Sequence, residues 1–160
     1  MNILIIMLRI VHIFCGVFWV GGAMINHFVL VRVVKATAPE GGRFMGKIMG
    51  IGRFSMLMTL AAWHTILSGG ALIYIDSGGL QWSWFTTGIG VGYGIGALAA
   101  LGAFLIGAII LGPTGEKIGG LQASFGSDGP SPEQGQQLAV LNARMATFGE
   151  LNHTLLLISL

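Results

Sequence analysis

The feature that most limits how this chain can fold is a series of long apolar runs, the first of which, Ile3 to Val31, holds a single formally charged residue, Arg9. A helix needs about 20 apolar residues to cross hydrocarbon, where a backbone has to satisfy its own hydrogen bonds. Four segments approach that length: Ile3 to Val31, Ile51 to Ile75, Thr86 to Leu111, and a weaker one from Leu138 to Leu160. With 54% hydrophobic and only 9% charged residues, the chain is too apolar for an ordinary soluble domain of its 160 residues. The expectation is an all-α integral membrane protein, a single domain over residues 1–160 built as a four-helix bundle.

The opening lacks the charged n-region and small-residue cleavage site of a signal peptide, so it reads as a retained helix. The single cysteine, Cys15, excludes an internal disulfide and reads as a small packing residue. The first connection carries Arg32, Lys35, Arg43, Lys47 and Arg53 against Glu40, whereas the second, Asp76 to Phe85, has no Lys or Arg. Positive short loops stay cytoplasmic, which sets the first and third connections inside and both termini outside a bacterial-type inner membrane. Tyr74, Trp82 and Trp84 then belong to an outer aromatic belt. The cations are too dispersed for a nucleic-acid surface, and membrane lipid is their plain partner.

The third connection, Gly112 to Gln137, reads as a mobile loop with a helix start at Ser131-Pro132-Glu133. The fourth segment is short: from Met145 to Leu160 a helix rises only about 24 Å, and a natural chain that continues further would account for this. In the third segment, Gly88, Gly92 and Gly96 recur every fourth residue, a spacing that admits another helix backbone or a flat cofactor. It is no nucleotide fingerprint, since no G-x-G-x-x-G register occurs there.

All four histidines, His12, His27, His64 and His153, fall within these segments. Ionisable residues at membrane depth are costly and usually serve an ion, a proton path or a cofactor, although hydrogen bonding across helices is the plainer use. His12 and His27 are 15 residues apart, about 60° around a helix and about 22 Å along it. Counted from the membrane faces, His12 and His64 share an outer level, and His27 and His153 an inner one. Two stacked imidazole pairs suit bis-histidine haem b, one or two groups per chain. Arg9 stands one turn from His12, placed either to pair with haem propionates or to snorkel to the interface, and Gly16 leaves space for a porphyrin edge. Glu150 either orients His153 or marks the interface.

Copper is the alternative cofactor, with His12, Met24 and His27 as ligands, although the methionines are dispersed as packing residues are. Hydrolytic chemistry is disfavoured, because no H-E-x-x-H, C-x-x-C or Walker loop is present.

The string from His12 through Trp19 to Gly21-Gly22, and RFSMLMTLAAWHTILSGG from Arg53 to Gly70, resemble the small membrane superfamily that includes CopD-like copper-resistance domains and HemJ-like haem-binding proteins. That resemblance covers helices 1 and 2 and implies His12 as a metal or haem ligand. It also implies either porphyrinogen oxidation with haem b or copper passage across an inner membrane. The leading expectation is a haem b membrane protein for electron transfer, linked to a quinol and to other membrane subunits. The alternatives are a copper-handling permease and a haem-free structural or assembly subunit.

Overall fold

The computed structural model describes residues 2–37, 40–125 and 129–160, and these are almost entirely helical. Helix α1 (Ile3–Ile25) passes through a π-helical turn (Asn26–Leu30) into α2 (Val31–Ala36), making one rod. Next come α3 (Glu40–Gly50), α4 (Phe54–Asp76) and the single turn α5 (Trp82–Phe85). A second rod runs from α6 (Gly88–Ile106) through another π-turn (Gly107–Leu111) into α7 (Gly112–Ala123), and α8 (Pro132–Ile158) follows.

Polar caps mark the helix starts. The Asn2 side chain accepts from the Leu4 amide, and Thr87 Oγ1 accepts from the Gly90 amide. Ser131 and Gln134 form a reciprocal capping box with Pro132 in the first turn of α8, at the start the sequence signals.

Among the described residues, three helices are long and apolar enough to cross a membrane: Ile3–Ala36, Phe54–Asp76 and Gly88–Ala123. Two of them far exceed the hydrocarbon. The 34-residue and 36-residue rods measure about 51 and 54 Å against a core of about 30 Å. The fourth long helix, α8, is not among the three; its first half is polar.

The connections are therefore more helical than their composition suggests. The first connection holds α3, which folds back along α2 as an antiparallel pair, with Thr37 and Val34 beside Gly41. The third connection is likewise not a loop through Gln137, because α7 is helical to Ala123 and packs against the start of α8. Residues 126–128 of that connection lie outside the described residues. With 27 residues α8 is about 40 Å long, and the part that precedes Met145 is the polar one.

Contacts fix the order and direction of the rods. His12 and Gly16 of α1 meet Gly69 and Thr65 of α4, and Gly22 meets Met58, so these two run antiparallel. Gly96 faces Ser159, Gly102 faces Leu155, and Gly115 faces Met145, so the α6–α7 rod and α8 are antiparallel as well. Trp63 of α4 meets Phe104 of α6 edge to face at 4.8 Å. With α4 and α6 packed together and joined by the short stretch 77–87, α6 runs antiparallel to α4 and parallel to α1, and the α2–α3 and α7–α8 hairpins project from one end of the molecule.

The core is small and drawn from every long helix: Trp19, Val20, Ala61, Ala62, Ala103 and Leu156. Alanine and glycine at these contacts let backbones approach closely, as in packing between membrane helices. Cys15 packs against this core, in keeping with a packing role. Most large apolar side chains point outward, among them Ile13, Phe14, Leu67 and Leu98. Hydrocarbon or neighbouring membrane helices would cover such a surface without penalty; water would not.

Gly41 tests the hairpin. A Cβ there would come within 2.8 Å of the Val34 backbone, whereas one at Gly42 meets nothing within 4 Å. Gly41→Ala is expected to destabilise the α2–α3 pair by about 1–3 kcal/mol, and Gly42→Ala to stabilise α3 by up to about 1 kcal/mol. Limited trypsin cleavage at Arg43 and Lys47 should accelerate in the first variant and slow in the second.

Candidate functional site

His12 is seated against α4 by three small or polar residues. Its Nδ1 lies 3.0 Å from the Thr65 carbonyl oxygen and 3.3 Å from Ser68 Oγ. A carbonyl only accepts, so Nδ1 carries the proton and donates it to Thr65. Ser68 is consistent with that tautomer, since its own hydroxyl donates to the His64 carbonyl and leaves a lone pair for His12. Nε2 is thereby left as a lone-pair nitrogen. A metal-ligating histidine is commonly prepared in this way, with its far N–H held by a backbone carbonyl.

Gly69 makes the seat possible: a Cβ at that position would stand 2.7 Å from His12 Cε1. One turn along α1, Gly16 faces α4, where a Cβ would meet the Thr65 methyl at 3.7 Å. The space beside Gly16 is thus taken by a neighbouring helix rather than open to a porphyrin edge. Arg9, one turn before His12, is exposed.

His64 sits next to Thr65 in sequence but on another side of α4. Its ring is exposed, and Nδ1 lies 2.7 Å from the Leu60 carbonyl of its own helix. The outer level therefore holds two imidazoles with similarly engaged Nδ1 atoms, one turned into the α1–α4 contact and one turned outward.

The inner level does bring its two histidines together. The rings of His27 and His153 stack with centroids 4.7 Å apart and planes 14° from parallel, and Phe28 meets both edge to face. His27 lies in the π-turn of the first rod, a local widening that often accompanies functional positions. Its Nε2 is 3.5 Å from Glu150 Oε1, one turn before His153 on α8. Both nitrogens of the buried His153, and Asn26 Oδ1, have no hydrogen-bond partner among the described residues. Next to them, buried Asn152 donates to the Ala103 carbonyl at 2.6 Å, tying α8 to α6 just before its π-turn.

These arrangements discriminate among cofactors. A bis-histidine haem takes ring nitrogens from opposite faces of the porphyrin. His27 and His153 lie face against face, so as arranged they do not fit that clamp. His12 has its Nδ1 engaged by α4, which leaves Nε2 as its nitrogen with a lone pair. Among the described residues, no group of three or more His, Cys, Asp or Glu gathers to hold a metal ion. Met24, the methionine of the copper reading, packs against the hydrophobic core.

No family model matches the chain, and no curated protein or solved structure matches it either.

Reading the sequence alone missed Thr65, Ser68 and Gly69 as the seat of His12, and Asn26 and Asn152 near the inner pair. A signal was present in each case. WHTILSGG sets a hydroxyl, Ser68, directly before the Gly69-Gly70 pair, and both asparagines directly adjoin a histidine in sequence.

Two substitutions separate these roles. Gly69→Ala should push the imidazole off α4 and break its Nδ1 contacts, while Gly70→Ala, with nothing within 4 Å, should leave it in place. Histidine ¹⁵N spectra that lose the Nδ1–H form of His12 only in the first variant are expected. His153→Leu removes two buried unpaired nitrogens and should raise stability by about 1–2 kcal/mol in thermal unfolding, despite the lost ring stacking.

Proposed function

We propose that this chain is an integral membrane four-helix bundle that binds one haem b through His12 and serves electron transfer between a membrane quinol and a partner subunit. The observation that carries the reading is the 3.0 Å contact of His12 Nδ1 with the Thr65 carbonyl oxygen, from which an Nδ1–H and a lone pair on Nε2 follow. The similarity of helices 1 and 2 to CopD-like and HemJ-like proteins points to the same residue. In this reading the membrane is a bacterial-type inner membrane, with the termini outside and the two hairpins on the cytoplasmic side.

The haem supplies one-electron redox chemistry, while the protein supplies ligation, orientation and electrostatics. Thr65 and Ser68 hold the imidazole against rotation. Gly69 keeps the ring flush with α4. Exposed Arg9, one turn toward the outer end, is placed for a propionate. His64, with its Nδ1 engaged by Leu60, offers its other nitrogen outward, toward whatever subunit covers that face.

A reduced-minus-oxidised spectrum with a pyridine haemochrome count tests the proposal. One haem b per chain is expected, with loss of the split absorption bands in His12→Ala and their retention in His153→Leu. Stoichiometric copper without iron would select the permease instead. Stable co-purification with other subunits and no chromophore would select the structural role.

A further inference from the structure

His64 stands at mid-height on α4. Arg53 and Asp76, the charges that flank the helix, are eleven and twelve residues away, about 16 and 18 Å along the axis. Half the hydrocarbon core is about 15 Å, so neither headgroup layer reaches this level. Its Nδ1–H is held by the Leu60 carbonyl, which leaves Nε2 with a lone pair, able only to accept. On this exposed ring, Nε2 has no partner among the described residues.

Trp63, the preceding residue, makes the opposite demand. Its ring rests edge to face on Phe104 and is 47% exposed, and its indole N–H, which only donates, has no acceptor among the described residues. Polar groups left open in hydrocarbon cost stability until they are paired. These two do not pair with one another, because neighbouring side chains on a helix point about 100° apart.

The face between them is apolar. Leu60 and Leu67, the latter 63% exposed, lie along its middle, and Tyr74 continues the line seven residues on. That interval suits a second helix packed at a shallow angle. Around the axis, Trp63 falls about 60° to one side of Leu60 and His64 about 40° to the other. Gly70, where an added Cβ meets nothing within 4 Å, and Ala71 keep the outer part of this face small enough for close approach. When two copies of α4 lie side by side about a two-fold axis along the membrane normal, opposite flanks meet. The Trp63 flank of each copy then faces the His64 flank of the other, twice, at nearly one height. Any other helix would need an acceptor and a donor on opposite flanks at that same height; a second copy supplies them by symmetry, and lipid supplies neither at this depth.

We propose that the exposed face of α4 is the interface between two copies of this chain, with Trp63 Nε1–H of each donating to His64 Nε2 of the other. The interface rests on the membrane reading and is independent of haem at His12.

The test mixes full chains carrying donor or acceptor fluorophores in phosphatidylcholine vesicles and follows energy transfer as lipid dilutes the protein. The parent chain should dimerise. Trp63→Phe and His64→Leu each remove both reciprocal bonds and should weaken the dimer about fivefold to tenfold, whereas Leu98→Ala, on an exposed part of α6, should not. The double variant should be no weaker than either single one. A Trp63→Phe chain mixed with a His64→Leu chain keeps one bond, and this mixed pair should associate more tightly than either variant with itself. A monomeric parent, undiminished transfer in both single variants, additive loss in the double variant, or a mixed pair no tighter than the two variants alone would overturn the proposal. A dimer that forms without haem leaves this interface standing while the haem reading falls; a haem-loaded monomer does the reverse.

Discussion

The close approach of α1 to α4 is the contact on which the most depends. It is made by residues with almost no side chain: Gly16 and Gly69 at the histidine level and Ala61 and Ala62 in the core. Between helices in hydrocarbon there is little hydrophobic gain, so association relies on close packing and on hydrogen bonds across the contact. Here the two are combined. The missing side chain at Gly69 brings the backbones near enough for an imidazole of one helix to reach a carbonyl of the other. That bond fixes the tautomer, and the tautomer decides which nitrogen is offered for chemistry.

The two histidine levels differ in how they meet the cost of polar atoms in an apolar setting. At the outer level, the polar groups that meet at His12 Nδ1 are paired: the ring donates to Thr65, and Ser68 donates to the His64 carbonyl while accepting from the ring. At the inner level, His153 is stacked and buried, and neither of its nitrogens has a hydrogen-bond partner among the described residues. A buried unpaired polar atom costs about 1–3 kcal/mol. The ring is held there by its stacking on His27 and by the edge of Phe28.

Much of the helical architecture was legible as hydropathy. Four long helices fall where the apolar runs lie, and the start of α8 was signalled by Ser131-Pro132-Glu133, whose capping box follows from elementary hydrogen-bonding rules. The hairpins were not legible, because α3 and α7 are glycine-rich and weak by propensity; the packing of Gly41 on α2 and of Gly115 on α8 outweighs that weakness. The site was half visible. Depth follows from counting residues, which correctly set His27 and His153 on one level. Rotation does not, since α4 is apolar nearly all round and its sequence gives no preferred face. Thr65, one residue from His64, is the one turned toward His12.

The paired π-turns carry a further consequence for how these rods are read. Each inserts an i→i+5 bond, from the Val31 amide to Asn26 and from the Gly112 amide to Gly107, into an otherwise regular helix. A single helical wheel drawn along either rod therefore loses phase at the turn, by up to about the 100° that one residue subtends. Membrane span and projecting arm are continuous in backbone but separate in angular register. The face that α2 shows to α3 is therefore offset by a fixed angle from the face that α1 shows to α4, and the two contacts need not lie on one continuous stripe of the sequence.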